Sequence, residues 1–108
     1  MPYVVRLTGG AARDLEDICR YLIRNGSMDR AKLVLDRVEE ELGGLSEFPL
    51  RGRYPKELAD LGILEYREML IDPYRMIYRV SDGNVYVLVI ADGRRDFQTL
   101  LERRLLQA

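Results

Sequence analysis

The chain has 108 residues, near the usual size of one domain, and 47% of them are hydrophobic and 32% charged, as in an ordinary globular protein. Seventeen Lys and Arg residues are balanced by 18 Asp and Glu residues, so no overall positive charge draws the chain to nucleic acid or to a membrane surface. With no His and one Cys, Cys19, the sequence excludes Cys/His zinc sites, Ser-His-Asp triads and Cys-His dyads.

The sequence also lacks the patterns of export and membrane insertion. Its longest apolar run, residues 85–91, is far shorter than the roughly 20 residues that cross a bilayer. No charged and then apolar leader opens the sequence. We therefore expect a cytoplasmic protein that consists of a single domain, residues 1–108.

The first part of the chain predicts a strand and two helices. Residues 3–7 are mostly β-branched or aromatic, as in a short paired strand. Apolar residues then recur every three or four positions over 11–23, which predicts a helix with Thr8 as its N-cap. A second stretch of this period starts after Ser27, a further N-cap, and Gly43-Gly44 end or bend it. Because the two helices are joined by so few residues, we expect them to pack antiparallel as a helical hairpin.

The second part of the chain predicts a β-meander and a last helix. Residues 46–62 lose the period and form a connecting loop with a short helical turn. Three strands are predicted, at 63–71, 74–80 and 85–91. Asp72-Pro73 and Asp82-Gly83 provide the two turns, and Asp96 caps the last helix. The order β-α-α-β-β-β-α predicts an α+β fold, with an antiparallel sheet, the N-terminal helical hairpin on one face and a short C-terminal helix.

Arginines on the predicted hairpin form the first candidate site. Arg75 and Arg79 share one face of a strand, and a symmetric turn places Glu68 diagonal to both. This group is either a salt-bridge set on an exposed sheet face or a binding site for an anion. Arg67 lies on the opposite face, with Glu65 and Tyr78 as its expected partners. The three arginines therefore cannot converge without a bulge.

Arg94 and Arg95 form a second basic cluster, between the last strand and the last helix. Two guanidiniums beside the start of a helix make a site for an anion or an acidic residue. The alternative is a solvated turn in which the two arginines pair with Asp92 and Asp96. No pair of carboxylates is marked for acid-base catalysis, and we predict neither a metal site nor a cofactor.

Four stretches of the chain resemble the ParE/RelE toxin superfamily of bacterial type II toxin-antitoxin pairs. They are RLTGGAARDLEDICRYL, FPLRGRYPKEL, YREMLIDPYRMIYRV and VLVIADGRRDFQTLLERRL. The resemblance implies one of two activities: RelE-like members cut mRNA in the ribosome, whereas ParE-like members poison DNA gyrase and are not regarded as nucleases. The long helical hairpin and the Gly-Arg-Arg-Asp segment favour the ParE branch, for which plasmid stabilisation is the associated role.

The resemblance also implies roles for individual residues. Arg67 and Arg79 match the strand arginines on which RelE-like cleavage depends, and they are the catalytic candidates if the chain is an mRNA endonuclease. The segment 92–97 has neither the His nor the Tyr that completes a RelE-like site, and Asp92 stands where ParE members usually have His. We therefore expect a toxin that inhibits gyrase without catalysis. A ribosome-dependent mRNA endonuclease and an attenuated antitoxin-binding module are the alternatives.

The partner implied by the resemblance is a cognate, ParD-like antitoxin. In the family an antitoxin segment lays apolar anchors into a groove and acidic residues onto arginines. The residues that would face the antitoxin or the target are Arg67, Arg75, Arg79, Arg94, Arg95 and Asp96, with Arg94, Arg95 and the last helix as the preferred surface for gyrase. An apolar groove along the helical hairpin predicts a homodimer when the antitoxin is absent. We expect no membrane partner and no direct sequence-specific binding to DNA.

Overall fold

In a computed structural model, which describes residues 2–107, a four-stranded sheet with the strand order β1-β4-β3-β2 carries helices on both faces. The elements are β1 (Val4–Leu7), α1 (Gly9–Arg24), α2 (Met28–Glu47), α3 (Lys56–Ala59), β2 (Arg67–Ile71), β3 (Tyr74–Ser81), β4 (Asn84–Asp92), α4 (Phe97–Leu101) and a π-helical turn (Glu102–Leu106). The predicted class, element order and C-terminal helix are confirmed. Within residues 2–107, no helix has both the length and the apolar character needed to cross a membrane.

The sheet is mixed rather than wholly antiparallel. Strands β2, β3 and β4 form the predicted antiparallel meander, but β1 pairs with β4 in parallel, with Val5 opposite Val85. Side chains alternate between the two faces of a strand in parallel and antiparallel pairs alike. The pattern of residues 3–7 therefore could not predict the direction in which β1 pairs. The direction depends on the chain that connects β1 to β4. Parallel neighbours need a crossover connection, and the helical hairpin is part of this connection.

The two long helices follow the predicted periods, with one difference at each end of α2. Thr8 caps α1 as expected, and its hydroxyl accepts a hydrogen bond from the Ala11 N–H at 3.3 Å. Ser27 occupies the N-cap position of α2 but makes no side-chain cap bond. Gly43-Gly44 neither ends α2 nor limits it, since the helix continues to Glu47. The last turn buries Leu45 completely, and burial of a leucine outweighs the helical cost of about 1 kcal/mol per glycine.

Apolar side chains cover the sheet on both faces. On one face the hairpin residues Ala11, Val38 and Leu45 pack against the sheet residues Met76, Tyr78, Val85 and Val87. On the other face Leu58, Phe97, Leu100 and Leu101 pack against Ile77, Val89 and Ala91. Strand β4 lies between β1 and β3 and contributes to both cores. Because both faces of this central strand are covered, residues 85–91 are apolar on both sides.

A bulge lies between β3 and β4. Ile77 pairs with Val89 and Tyr78 with Val87, so Leu88 is the extra residue of β4. Strand β1 ends beside Val87, and side chains from other elements cover β4 beyond this point. The Leu88 carbonyl accepts from Arg104 at 3.0 Å, and the Ile90 N–H donates to Asp14 at 2.9 Å.

Arg104 and Asp14 also form a bidentate ion pair, with both N···O distances at 3.0 Å. The C-terminal turn and α1 therefore close the edge of β4 that β1 leaves open. The sequence does not predict this ion pair, because its two members lie 90 positions apart and no periodic pattern relates them.

The hydroxyl group of Tyr78 holds the loop that follows α2. It accepts a hydrogen bond from the Gly52 N–H at 2.9 Å and donates one to the Pro49 carbonyl at 2.8 Å. A Cβ atom on Gly52 would lie only 2.5 Å from this hydroxyl oxygen and 2.7 Å from the carbonyl oxygen of Glu68. Only glycine fits here, and the loop is bound tightly to the sheet.

We predict that Tyr78→Phe lowers the free energy of unfolding by about 1–3 kcal/mol, because the buried Gly52 N–H loses its acceptor. Urea unfolding followed by circular dichroism measures the change. Tyr86→Phe is the matched control, since the Tyr86 hydroxyl has no hydrogen bond to residues 2–107. Equal stabilities of the two variants would show that the hydroxyl does not hold the loop.

Candidate functional site

Arg75 belongs to an internal ion-pair network. Its guanidinium donates two hydrogen bonds to Glu57, at 2.8 and 2.7 Å, and one to Glu68 at 2.8 Å. The same group lies 4.0 Å from the ring centre of Phe97. These hydrogen bonds raise the pKa of Arg75 and lower the pKa of Glu57. Arg75 therefore uses most of its hydrogen-bonding capacity inside the protein.

The environment of Glu68 differs from the prediction. The expected register is confirmed, with Glu68 opposite Ile77, but its carboxylate is only 2% exposed rather than on an open sheet face. It pairs with Arg75 and with Arg53 at 2.7 Å, and not with Arg79. Arg53 reaches Glu68 because the loop adds an isolated antiparallel bridge to the edge of β2. No periodic signal in residues 46–62 identifies Arg53 or Glu57 as partners.

Arg67 also binds the loop rather than its predicted partners, Glu65 and Tyr78. It donates to the carbonyls of Leu50 at 3.1 Å and Gly52 at 2.8 Å, and to the hydroxyl of Tyr54 at 3.0 Å. The guanidinium lies 4.5 Å from the Tyr54 ring centre. The prediction was wrong because the loop crosses the start of β2, and the Tyr78 hydroxyl is occupied by Pro49 and Gly52.

Arg79 is exposed and has neither a hydrogen bond nor an ion pair with any residue from 2 to 107. It shares a cleft of about 340 Å³ with Arg67, although the sequence places these two side chains on opposite faces. Arg67 is the first residue of the edge strand β2, so its long side chain is not confined to one face. Leu50, Leu64 and Glu65 also line this cleft, which we call the Arg79 cleft. Arg75 does not line it, as expected for three arginines that do not converge.

The second basic cluster lies in the turn between β4 and α4. Arg94 donates to the Asp92 carboxylate through its side chain and its backbone N–H, both at 2.9 Å, which confirms the predicted pair. These hydrogen bonds lower the pKa of Asp92 from 3.8 to about 2.

The predicted pairing of Asp96 with an arginine in this cluster is wrong. Asp96 caps α4 instead and accepts from the N–H and the hydroxyl of Thr99, which lowers the pKa of Asp96. Arg95 forms no ion pair within residues 2–107 and is exposed.

A cleft of about 550 Å³ borders this turn, between α1 and the end of β4. Asp92, Arg94, Arg95, Tyr21 and Tyr74 are among its lining residues. Burial raises the pKa of Tyr74, and the nearby carboxylate of Asp92 adds to this shift. At neutral pH Asp92 is thus ionised and Tyr74 is neutral, so neither is poised for proton transfer. Among residues 2–107 no group of three or more His, Cys, Asp or Glu side chains could hold a metal ion.

An apolar cleft of about 630 Å³ runs along the helical hairpin. Leu15, Cys19 and Ile23 of α1 and Leu35 of α2 line it, together with Leu7 at the end of β1. Burial raises the pKa of the Cys19 thiol, so this side chain is an uncharged part of the wall. The apolar groove expected from the sequence is present.

The fold is that of ParE and RelE toxins. The ParDE toxin-antitoxin system of P. aeruginosa matches with a TM-score of 0.68 and 19% identity, over 83% of this chain and 95% of that chain. The RelBE2 toxin-antitoxin complex of Mycobacterium tuberculosis matches with a TM-score of 0.59 and 26% identity, over 85% and 99%. A free mutant of E. coli RelE matches with a TM-score of 0.60 and 20% identity, over 97% and 100%.

Sequence comparison identifies the branch. A family model described as the ParE toxin of the type II toxin-antitoxin system parDE matches residues 5–97. Toxin ParE3 of Caulobacter vibrioides is 30% identical over 104 residues, which cover 96% of this chain and 99% of the relative. The chain therefore belongs to the ParE toxin family of type II toxin-antitoxin systems.

We predict that Asp92 stabilises the fold at neutral pH and that this contribution disappears in acid. Its pKa in the folded protein, about 2, lies below the ordinary 3.8, so the stabilisation is complete above 3.8 and is lost as the pH falls towards 2. The difference in free energy of unfolding between wild type and Asp92→Asn should shrink over this range in urea titrations. Asp36→Asn, on the exposed side of α2, is the control. A constant difference for Asp92→Asn would contradict the prediction.

Proposed function

We propose that this ParE-family toxin inhibits DNA gyrase by binding it, without catalysis, and that a cognate antitoxin neutralises it. The observation that carries the proposal is the exposed Arg94–Arg95 turn beside a cleft of about 550 Å³ in which Arg94 holds Asp92 in its carboxylate form. The pKa of Asp92 is about 2, and the pKa of Tyr74 is raised. Such a surface suits charged recognition of a protein and not acid-base chemistry.

The turn is suited to binding because its shape is fixed before a partner arrives. The Asp92 carboxylate holds both the backbone and the side chain of Arg94, and the Asp96 cap fixes the start of α4. Phe97 and two leucines of α4 are buried in the core below. Arg95 projects from this rigid base with no internal ion pair in residues 2–107. A partner therefore spends little conformational entropy on ordering the turn.

The antitoxin partner is supported by the similar proteins. The P. aeruginosa neighbour is a ParDE toxin-antitoxin system, and the M. tuberculosis neighbour is a toxin-antitoxin complex. Membership of the ParE family supports gyrase as the proposed target. Because gyrase acts on the bacterial chromosome, the proposal implies a cytoplasmic protein.

A ribosome-dependent mRNA endonuclease is the second candidate, and one observation favours it. Arg67 and Arg79 lie in the same cleft, as two arginines that stabilise a phosphate would. However, Arg67 already donates to two carbonyls and a hydroxyl.

An attenuated module that binds only antitoxin is the third candidate, and growth arrest on expression without antitoxin would exclude it.

We expect purified wild-type protein to inhibit gyrase supercoiling, and we expect the antitoxin encoded beside it to reverse the inhibition. The double variant Arg94→Ala/Arg95→Ala should need at least about tenfold more protein for the same inhibition, equivalent to about 1.4 kcal/mol of binding free energy. Lys32→Ala/Arg37→Ala removes the same charge from the exposed side of α2 and should behave as wild type.

Two results would count against the proposal. Wild-type protein that leaves supercoiling unchanged at large excess would exclude gyrase as the target. Cleavage of mRNA on ribosomes, lost in Arg79→Ala with the fold intact, would replace gyrase inhibition with the endonuclease function.

We also predict that the free toxin forms a homodimer through the apolar cleft of the hairpin. Leu35 lines this cleft, whereas Leu33 on the same helix is outside its lining and is even more exposed, at 59% against 42%. Leu35→Glu should shift the sedimentation coefficient to that of a monomer, because a buried carboxylate is costly in an apolar interface. Leu33→Glu should not. A wild-type protein that sediments as a monomer at all concentrations would exclude the dimer.

A further inference from the structure

We propose that the cleft between α1 and the end of β4 binds an apolar side chain of the toxin's target protein, next to a carboxylate of the same protein, and that Tyr21 and Tyr74 determine the affinity. We call this cleft the tyrosine cleft. Tyr21 comes from α1 and Tyr74 from the start of β3, and both line it. The inference rests on the proposed function for the existence of a target, and it adds to the Arg94–Arg95 turn two residues that lie outside it.

The tyrosine cleft offers unpartnered aromatic and apolar surface. Ile18, Ile90 and Ala91 contribute apolar groups to its lining. The ring of Tyr21, a large apolar group, is 65% exposed. The hydroxyls of Tyr21 and Tyr74 form no hydrogen bond with residues 2–107. A partner that enters the cleft can therefore cover an exposed ring and pair with two hydroxyl groups.

The wall that α1 forms is fixed to the sheet. The Asp14 carboxylate accepts hydrogen bonds from the Ile90 N–H at 2.9 Å and from the Arg104 guanidinium at 3.0 Å. Tyr21 follows Asp14 on the same helix by about two turns, so the two side chains lie on the same side of α1. The helix therefore holds Tyr21 at a constant position beside β4.

The wall at the end of the sheet is fixed as well. The Gly93 N–H donates to the Pro73 carbonyl at 2.8 Å, which joins the turn before β3 to the turn after β4. A Cβ atom on Gly93 would lie 2.9 Å from Cδ of Arg75, so glycine permits this close approach. Tyr74 follows Pro73 directly and pairs with Asp92 in the register. Because both walls are rigid, little binding free energy is lost to ordering the cleft.

The arginines beside the cleft define the second feature of the partner. Arg94 is neutralised by Asp92, whereas Arg95 is exposed and has no ion pair within residues 2–107. Burial raises the pKa of Tyr74 and the charge of Arg30 opposes this rise, so Arg30 of α2 also lies nearby. A carboxylate next to the apolar side chain of the partner therefore forms an ion pair with Arg95.

The lining favours a protein over a nucleic acid. Three aspartates and two arginines line the cleft: Asp14, Asp17, Asp92, Arg94 and Arg95. The carboxylates balance the guanidiniums, so the cleft has no positive field that would attract a phosphate backbone. Tyrosine and arginine are also among the residues that contribute most to the affinity of protein–protein interfaces.

Gyrase supercoiling assays with variants of Tyr21 test the inference. Tyr21→Ala should need at least about tenfold more protein than wild type for half inhibition, because the partner loses the ring on which it packs. Tyr21→Phe keeps the ring and should lose much less. Phe48→Ala is the matched control, since Phe48 is 63% exposed and follows α2 at the opposite end of the sheet. Half inhibition at the same concentration by Tyr21→Ala and Phe48→Ala would overturn the inference.

Substitution of Arg95 tests the predicted carboxylate of the partner. Arg95→Glu should raise the concentration for half inhibition at least about tenfold. Arg95→Lys should raise it less, because lysine keeps the charge but loses the paired N–H groups. A wild-type response of Arg95→Glu would exclude an acidic partner at this position.

Binding of the antitoxin separates loss of a target site from damage to the fold. In calorimetric titrations with the purified cognate antitoxin, Tyr21→Ala should have the Kd of wild type. A Kd raised as much as the inhibitory concentration would assign the cleft to the antitoxin and overturn the inference. Ribosome-dependent mRNA cleavage that is lost in Tyr21→Ala would assign the cleft to RNA and contradict it equally.

Growth arrest on expression without antitoxin keeps the inference separate from the choice of gyrase. If wild-type protein does not inhibit gyrase, the proposed target fails, but the cleft can still be tested. Loss of arrest in Tyr21→Ala, with arrest retained in Tyr21→Phe and Phe48→Ala, would support the cleft as the site of another protein target. Equal arrest by all three variants would overturn the inference.

Discussion

The arrangement of the arginines depends on the ion pairs that the buried carboxylate of Glu68 forms with Arg53 and Arg75. This carboxylate receives Arg75 from the neighbouring strand and Arg53 from the loop, while Arg75 also binds Glu57 of α3. A buried carboxylate left without a partner costs about 3–5 kcal/mol, so each of these elements is confined to one position. The network joins β2, β3, the loop and α3 on the face that the C-terminal helix covers. It therefore determines which arginines are left for partners.

The arginines consequently divide into internal and external groups. Arg75 neutralises the buried Glu68 and the partly buried Glu57, and Arg104 pairs with Asp14 to close the edge of β4. Arg67 fastens a loop through carbonyl groups and keeps its charge unbalanced. Arg79 and Arg95 have no ion pair in residues 2–107 and lie at opposite ends of the sheet. An arginine-rich ParE-family chain with nearly zero net charge thus presents two local basic surfaces.

The sequence could predict those parts of the fold and site whose causes are local. The period of the helices, the Thr8 cap and the turns at Asp72-Pro73 and Asp82-Gly83 depend on residues a few positions apart. The β2–β3 register also follows from its short turn. The Arg94–Asp92 pair was predictable for the same reason, since its members are two positions apart in the sequence.

Contacts between distant residues required the tertiary structure. The parallel pairing of β1, the continuation of α2 through its glycines and the closeness of Arg67 to Arg79 were not predictable. Arg53 and Glu68 are 15 residues apart, and Arg104 and Asp14 are 90 apart. No periodic pattern relates residues at such separations. The sequence by itself determined the α+β class, the element order and the resemblance to ParE toxins, whereas only packing decided which arginines are internal, because burial of a charge depends on what the whole chain places around it.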